Sequence, residues 1–370
     1  MTSKIKNVRI AGIACAVPKT SRTAFETAAP LGMSEDETQK VVAMTGVQKR
    51  HIAHPSCCTS DLSLIAAQRL MQDLNWAPET IDALLFVSQT ADYHLPNTAC
   101  ILQHRLGLPK SCAAFDIPLG CSGYTYGLWS GSGMIATGAK RVLLLIGDTS
   151  ERGSHPEDKS TVFLFGDTGT ATGLEYDETA PEATHVLGTD GSGWQHLCVP
   201  DSGCRHRSSV ASFEAKVGPD GNPRRGIDLH MDGAEVFAFT LREVPPMMKT
   251  LFEASGWTVD DMEAFIPHQA NLFMLQHLGK RMKIPKEKLL LSIAEFGNTS
   301  SASIPLTMNL RMADQLRNGP VNVVMAGFGV GWSWAAVATK LGPIVMPDII
   351  YVDTENLPSI LQEDRQEMHA

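Results

Sequence analysis

The sequence has no long run of basic residues and no long run of apolar ones. Its 31 Lys and Arg residues are outnumbered by 40 Asp and Glu residues, which gives a formal net charge of -9. An acidic chain without a basic stretch lacks the charge that a phosphate backbone attracts, so we expect no nucleic-acid partner. No apolar run approaches the roughly 20 residues that cross a bilayer. We therefore expect a soluble protein with no membrane partner.

The N-terminus also lacks the uninterrupted apolar stretch of a signal peptide. The segment "MTSKIKNVRIAGIACAVP" has a basic start and small residues, but Arg9 and Gly12 interrupt its apolar part. A short, β-branched segment of this kind predicts a first β-strand. We therefore expect a cytoplasmic protein.

Paired cysteines are missing as well. The eight cysteines are irregularly spaced without a C-x-x-C motif, and a chain of 370 residues does not need a disulfide framework. This pattern indicates a reducing compartment. His196, Cys198, Cys204 and His206 have the residue types of a zinc site, but their spacing matches none of the common zinc patterns. We predict no metal.

Two sets of alternating strand and helix patterns are present. Apolar runs typical of buried strands occur at residues 8–14, 83–89, 112–117 and 141–148, and again at 263–267, 289–296 and 321–328. Their similar order predicts a duplicated α/β unit. We divide the chain into a first half (1–185), an inserted surface region (186–226), a second half (227–345) and a C-terminal tail (346–370).

Three polar side chains follow predicted strands. Cys121 precedes a Gly-rich helical segment, and a helix N-terminus lowers the pKa of a thiol. His268 follows the strand at 263–267, and Asn298 lies in a polar loop. Because strand ends of an α/β sheet meet at one edge, we expect the three to face one cavity. Taken singly, each also fits a structural role, as a buried thiol, a satisfied imidazole or a turn residue.

Four ordered motifs resemble those of a known family. "GCSGYTYGL", "IPHQANL", "FGNTSSASIP" and "GFGVGWSWA" are similar to the signatures of the β-ketoacyl-acyl carrier protein synthase III group of thiolase-fold condensing enzymes. The resemblance implies a thiolase-like α/β fold, in which two similar halves give five alternating layers, αβαβα. It also implies a homodimer.

The resemblance further implies a reaction. Cys121 attacks an acyl thioester and becomes acylated, and His268 and Asn298 then donate hydrogen bonds to the thioester carbonyl of a malonyl group on acyl carrier protein. Decarboxylation gives a carbanion that attacks the acyl-cysteine and yields a β-ketoacyl product. The backbone N–H groups of Cys121 and Val330 form the oxyanion hole. No cofactor is implied, and the product enters fatty acid or specialised lipid or polyketide-type biosynthesis.

The positions that commonly bind coenzyme A in this family differ here. Lys40 and Met44 stand where a Trp and an Arg are usual, and Phe273 stands where a second Arg is usual. Lys159 and Ser160 replace an Arg-Gly pair. The sequence therefore leaves open whether the acyl donor is bound to coenzyme A or to a carrier protein.

Two further predictions concern the docking of a carrier protein and the length of the acyl chain. Lys280, Arg281 and Lys283 form a basic patch that suits docking of an acidic carrier protein, and they fit a solvated helix face equally well. Leu95 stands where the family often has a Phe that reaches into the acyl pocket of the partner subunit. A smaller side chain there predicts room for a longer or branched acyl chain.

Three other functions compete with condensation. An acyltransferase that passes the acyl group to an alcohol or amine needs Cys121 and His268 but not Asn298. A Cys-His-Asn hydrolase or thioesterase would not need the four motifs. A structural subunit of a heterodimeric synthase would not need the three side chains at all.

Overall fold

The computed structural model describes residues 1–357, so residues 358–370 of the tail lie outside the described residues. The strands in this range are β1 (Thr2–Ile5), β2 (Val8–Pro18), β3 (Ser21–Thr23), β4 (Lys49–His51), β5 (Ala83–Val87), β6 (Ala113–Ile117), β7 (Arg141–Asp148), β8 (Thr168–Tyr176), β9 (Ala183–Thr189), β10 (Leu197–Cys198), β11 (Lys216–Val217), β12 (Pro223–Arg224), β13 (His230–Met231), β14 (Ala264–Pro267), β15 (Val321–Gly329), β16 (Ser333–Leu341) and β17 (Ile350–Val352). The α-helices are α1 (Ala24–Ala28), α2 (Glu35–Thr45), α3 (Thr59–Leu74), α4 (Thr98–Arg105), α5 (Gly123–Ala136), α6 (Gly233–Ser255), α7 (Leu272–Arg281), α8 (Ile293–Phe296) and α9 (Ser303–Asn318).

Two mixed sheets form the centre of the molecule. The first has the strand order β17-β2-β8-β7-β5-β6, and the second has the order β1-β9-β16-β15-β14. Helix α3 covers the outer face of the first sheet, and α6 and α7 cover the outer face of the second. Helices α5 and α9 lie between the sheets. The predicted five-layer αβαβα fold is confirmed.

The apolar strand runs are explained by this layering. All five side chains from Val142 to Ile146 in β7 are fully buried, because helices cover both faces of their sheet. Helix α3 begins with a capping box in which the Asp61 carboxylate accepts from the backbone N–H of Cys58 at 2.8 Å. Leu62, Ala66 and Leu70 then face the sheet at helical spacing.

The strand predicted at residues 289–296 is wrong. Leu289 makes only an isolated bridge to Phe265, and the end of the run forms α8. The Gln269 side chain takes over the hydrogen bonds of this backbone, since its Nε2 donates to the Leu290 carbonyl at 3.2 Å and its Oε1 accepts from the Ser292 N–H at 2.9 Å. An extended ladder therefore has no free groups with which to continue.

The sheets do not follow the order of the chain. Strand β1, at the N-terminus, pairs with β9 in the second sheet, and the Met1 ammonium donates to the Leu187 carbonyl at 2.8 Å. Strand β17, within the segment 346–370, pairs with β2 in the first sheet. The N-terminal strand thus lies in the second sheet, together with β14, β15 and β16 of the second half, whereas β17 lies in the first sheet. No helix within residues 1–357 is long and apolar enough to cross a membrane.

Candidate active site

Cys121 lies where the two halves of the molecule come closest. It follows β6 and precedes α5, and it faces the end of β15. Gly329 approaches so closely that a methyl group on it would lie 2.6 Å from Cys121 Cβ and 2.7 Å from its Sγ. Glycine is required at this position because the β15 backbone packs directly on the cysteine.

The Cys121 thiol is neutral at rest. Although the residue is partly exposed, burial of its thiol raises the pKa to about 11. The lowering of the pKa expected from the helix N-terminus is therefore wrong, because desolvation outweighs it. The backbone N–H groups of Val330 and of Cys121 itself hydrogen-bond to the sulfur and act in the opposite direction, favouring the thiolate. These are the two amides that the sequence assigned to an oxyanion hole.

His268 is fixed by the loop that carries Asn298. The imidazole is buried, and its Nδ1 lies 3.1 Å from the Ser300 carbonyl oxygen and 2.9 Å from Ser303 Oγ. Burial lowers the pKa of His268 to about 4, so the ring is neutral near pH 7. A neutral imidazole offers one donor and one acceptor.

Asn298 is oriented by the same loop. Its Oδ1 accepts from the Ser300 N–H at 2.9 Å, and its Nδ2 donates to the Ala270 carbonyl at a long 3.4 Å. Anchoring the oxygen leaves a second Nδ2 hydrogen free to donate. The Ser300 backbone thus contacts both residues: its N–H donates to Asn298, and its carbonyl oxygen lies beside Nδ1 of His268.

A short chain of contacts links these two residues to the cysteine. The His268 ring packs edge-on against Phe328, with 5.9 Å between ring centroids. Phe328 precedes Gly329, which contacts Cys121. Phe328 and Gly329 therefore connect the His268 ring to Cys121. The shared catalytic role of Cys121, His268, Asn298 and the Val330 backbone stays a prediction.

The remaining predicted site residues lie elsewhere on this chain. Leu95 is 87% exposed, in the segment between β5 and α4. Lys280, Arg281 and Lys283 are exposed at the C-terminal end of α7, about 15 Å from its beginning near His268.

Two supporting groups were not predicted. Asp148, at the end of β7, is buried, and its Oδ1 accepts from Ser88 Oγ at 3.0 Å and from the Gln89 N–H at 2.7 Å. Its Oδ2 accepts from Ser301 Oγ at 3.3 Å, and its charge raises the pKa of Cys121. In the sequence, Asp148 could have been recognised as an acidic residue that ends a fully apolar run. The second supporting group is Ser303, and the small polar residues at 298–303 could have indicated it.

The residue types of a zinc site are dispersed. Cys198 pairs with His230 between β10 and β13, while Cys204 and His206 are exposed. Across residues 1–357, no group of three or more His, Cys, Asp or Glu side chains is arranged to hold a metal ion.

We expect Gly329→Ala to slow acylation of Cys121 at least about a hundredfold, because the new methyl group would overlap the nucleophile. Displacement of the β15 end should lower the free energy of unfolding by about 1–3 kcal/mol. The measurement is the rate of thioester transfer to the enzyme, followed by mass spectrometry. Gly133→Ala is the matched control, since a methyl group on Gly133 would meet nothing within 4 Å. Equal acylation rates in the two variants would contradict the close contact.

The fold and the grouping of a cysteine, a histidine and an asparagine define a condensing enzyme of the thiolase fold, a type of transferase. Residues 115–191 match the family model described as 3-oxoacyl-[acyl-carrier-protein (ACP)] synthase III, and residues 252–341 match its C-terminal model. The β-ketoacyl-[acyl-carrier-protein] synthase III of Desulfitobacterium hafniense (strain Y51) is 33% identical over 340 residues, which cover 90% of this chain and 98% of that protein. The chain belongs to the 3-oxoacyl-[acyl-carrier-protein] synthase III family.

Solved structures agree with this assignment. The 3-oxoacyl-(acyl-carrier protein) synthase of Burkholderia xenovorans LB400 is 41% identical, with a TM-score of 0.89 over 95% of this chain and 99% of that chain. The synthase III of Pseudomonas aeruginosa PAO1 is 29% identical, with a TM-score of 0.78 over 92% of this chain and 100% of that chain. The resemblance seen in the four motifs is confirmed.

Proposed function

We propose that this enzyme transfers an acyl group to Cys121 and then condenses it with a malonyl group on acyl carrier protein, releasing carbon dioxide and a β-ketoacyl product. The observation that carries the proposal is the direct packing of the β15 end, at Gly329, on Cys121, where the backbone N–H groups of Cys121 and Val330 favour the thiolate. Donors so close to the sulfur also suit the oxyanion that forms when its acyl carbonyl is attacked.

The first step needs a proton acceptor, because the thiol is neutral. We assign this role to His268, which is itself neutral and whose Nδ1 is occupied by Ser300 and Ser303. Nε2 takes the Cys121 proton while sulfur attacks the acyl carbonyl. The donor carbon–sulfur bond then breaks, and the proton passes to the departing thiolate.

The second step needs donors instead. Nε2–H of His268 and Nδ2–H of Asn298 donate to the malonyl thioester carbonyl and stabilise the enolate that forms as carbon dioxide leaves. The carbanion attacks the acyl carbon, and the backbone amides hold the resulting oxyanion. Collapse of that intermediate breaks the carbon–sulfur bond and returns the electron pair to Cys121, whose thiolate then takes a proton from water. The fixed Asn298 amide favours this reaction over simple acyl transfer, which does not require an enolate.

Nε2 of His268 must therefore accept in one step and donate in the next, so between the steps the ring exchanges its Nδ1 proton for one on Nε2 through solvent. The environment of Nδ1 permits both tautomers. When Nε2 accepts, Nδ1 is protonated and donates to the Ser300 carbonyl; when Nε2 donates, Nδ1 is unprotonated and the Ser303 hydroxyl can donate to it. Ser303 is thus assigned as the positioning residue that supports the donor state of Nε2.

We expect Ser303→Ala to slow decarboxylation of malonyl-carrier about three- to tenfold, since one hydrogen bond to Nδ1 is lost. Acylation of Cys121 should change by less than about twofold, because the tautomer that accepts at Nε2 retains the Ser300 carbonyl. The two partial reactions are measured separately, and Ser303→Thr, which restores a hydroxyl, serves as the control. An equal slowing of both steps would indicate a merely structural role.

The exposed residues at the ends of α2 and α7 help to distinguish a donor bound to coenzyme A from one bound to a carrier protein. Met44 and Phe273 are 58% and 46% exposed at adjoining ends of α2 and α7. Phe273 also contacts His277, with 4.2 Å between ring centroids. Met44 and Phe273 replace two arginines that would hold a nucleotide phosphate, whereas Lys40 and Lys159 keep a charge near by; because the two arginines are missing, we favour a donor already carried by a protein. Lys280, Arg281 and Lys283 are the proposed docking residues for the acidic carrier.

We further infer a homodimer formed through β6. This strand lies at the edge of the first sheet, and its Phe115 side chain is 40% exposed. An unpaired edge strand can pair with the same strand of a second copy. Helix α4 packs against β6 and follows the Leu95 segment, so such pairing would bring Leu95 towards the acyl pocket of the partner subunit.

The proposal is tested by intact-protein mass spectrometry with a panel of acyl-coenzyme A and acyl-carrier thioesters, followed by malonyl-carrier. We expect one class of donor to acylate the enzyme and malonyl-carrier to discharge the adduct as a β-ketoacyl product with carbon dioxide. An adduct that malonyl-carrier leaves intact, but that an alcohol or amine removes, would favour the acyltransferase instead. The same experiment identifies the donor and the length of the acyl chain.

A further inference from the structure

A cavity lies beside the C-terminal part of α5, away from Cys121. Its volume is about 260 Å³, it opens to solvent at one rim, and it lies between the two sheets against Leu128 and Ser132 of α5, Leu174 of β8 and residues of the second sheet. Ser132 is eleven positions beyond Cys121, which corresponds to about 16 Å along a helix. None of Cys121, His268, Asn298 and Val330 lines this cavity.

One wall of the cavity carries an unpartnered histidine. His185, in β9, is 2% exposed, and neither of its ring nitrogens has a hydrogen-bond partner among residues 1–357. Its cross-strand neighbour Val337 lines the same cavity, and so does Ala183, two positions earlier on the same face of β9. The ring therefore belongs to the face of the sheet that looks into the cavity.

A second unpartnered group lies directly opposite His185. Ser3 of β1 is paired with His185 in the strand register, and its hydroxyl is also buried without a partner in the described part of the chain. Buried polar atoms in proteins are nearly always hydrogen-bonded. Three such atoms on one face, beside a cavity, indicate a missing hydrogen-bonding molecule.

The chemistry of the walls defines what this molecule can be. Most of the lining is apolar, and burial lowers the pKa of His185 to about 4, so the ring is neutral and offers one donor and one acceptor. At the rim, the charge of Arg9 is already compensated by Glu175 and by Asp177, the latter at 3.8 Å, and the Lys340 ammonium is exposed to solvent. A charged group placed beside the buried His185 ring would lose its hydration without gaining an ion pair there.

We propose that this cavity is a binding site for a small neutral molecule with an apolar body and one hydroxyl or amide group, which hydrogen-bonds to His185. At about 30 Å³ for each non-hydrogen atom, the cavity accommodates roughly eight or nine such atoms. A medium-chain alcohol such as 1-octanol has this size and chemistry. The site is independent of the condensation reaction proposed above.

The test is a titration of the full-length protein, labelled with ¹⁵N in its histidine rings, with 1-octanol at neutral pH. We expect a saturating change in the ring signals of His185, which are assigned from their absence in His185→Phe. Octanoate, which differs in bearing a charge, should bind at least about tenfold more weakly. Toluene, which lacks a hydroxyl, should bind wild type and His185→Phe with equal affinity.

Two further variants locate the site. Ser132→Leu fills the cavity while retaining His185, so it should abolish the octanol-dependent change. Ser130→Leu places the same substitution on the same helix outside the cavity lining, and it should bind octanol as wild type does. The proposal is overturned if octanol causes no saturable change, which would mean that the cavity holds water only, or if Ser132→Leu binds as tightly as Ser130→Leu.

Discussion

Cys121→Ala is expected to abolish formation of the β-ketoacyl product, lowering the rate by at least about 10⁴-fold, because the proposed nucleophile is removed. Decarboxylation of malonyl-carrier should persist, since His268 and Asn298 are fixed by Ser300 and Ser303 rather than by the cysteine. The measurement pairs intact-protein mass spectrometry with release of labelled carbon dioxide. This combination of outcomes separates loss of the nucleophile from loss of the fold.

Cys100→Ala is the matched control for that experiment. Cys100 is an exposed cysteine in α4, so it is accessible to a reactive thioester without belonging to the site. The variant should form the same adduct and product as wild type. If the adduct disappears from Cys100→Ala and persists in Cys121→Ala, the assignment of the nucleophile is wrong.

His268→Ala is expected to impair both partial reactions, whereas Asn298→Ala should impair only one. Loss of a donor to the developing enolate should slow decarboxylation about 10²- to 10³-fold in each variant. Only His268 is assigned to accept the Cys121 proton, so acylation should fall about 10²-fold in His268→Ala and less than about threefold in Asn298→Ala. Single-turnover rates of the two steps provide the comparison.

The contrast between the two variants is the informative part. Both residues are buried and are held by the same loop, so general disruption of the loop would affect the two variants alike. If Asn298→Ala slows acylation as strongly as His268→Ala, His268 has no separate role as proton acceptor. In that case another group must deprotonate the thiol, whose pKa of about 11 leaves it neutral at physiological pH.

The layered fold and the positions of Cys121 and His268 at strand ends were predictable from the sequence for a physical reason. Buried strands are covered on both faces and so appear as continuous apolar runs, and the polar residue after each run is held at the edge of a sheet. This logic placed Cys121 and His268 correctly. It failed at residues 289–296, because the hydrogen bonds of that backbone are made by the side chain of Gln269, a long-range contact that periodicity does not contain.

The properties of the site were less predictable than its members. The helix N-terminus suggested an acidic thiol, but the pKa depends on desolvation by both halves and on the charge of Asp148, none of which is local in sequence. The role of Ser303 likewise depends on its 2.9 Å approach to His268 across 35 residues. Motifs identify which side chains meet, whereas their protonation states follow from the packing around them.

The exchange of terminal strands has a consequence for how the molecule unfolds. Because β1 completes the second sheet and β17 completes the first, neither half can open without breaking the sheet of the other. The two halves are therefore expected to melt together, in a single calorimetric transition whose van't Hoff and measured enthalpies agree, rather than as two independent domains. Removing residues 2–5 should weaken the distant second half first, although those residues are the earliest in the chain.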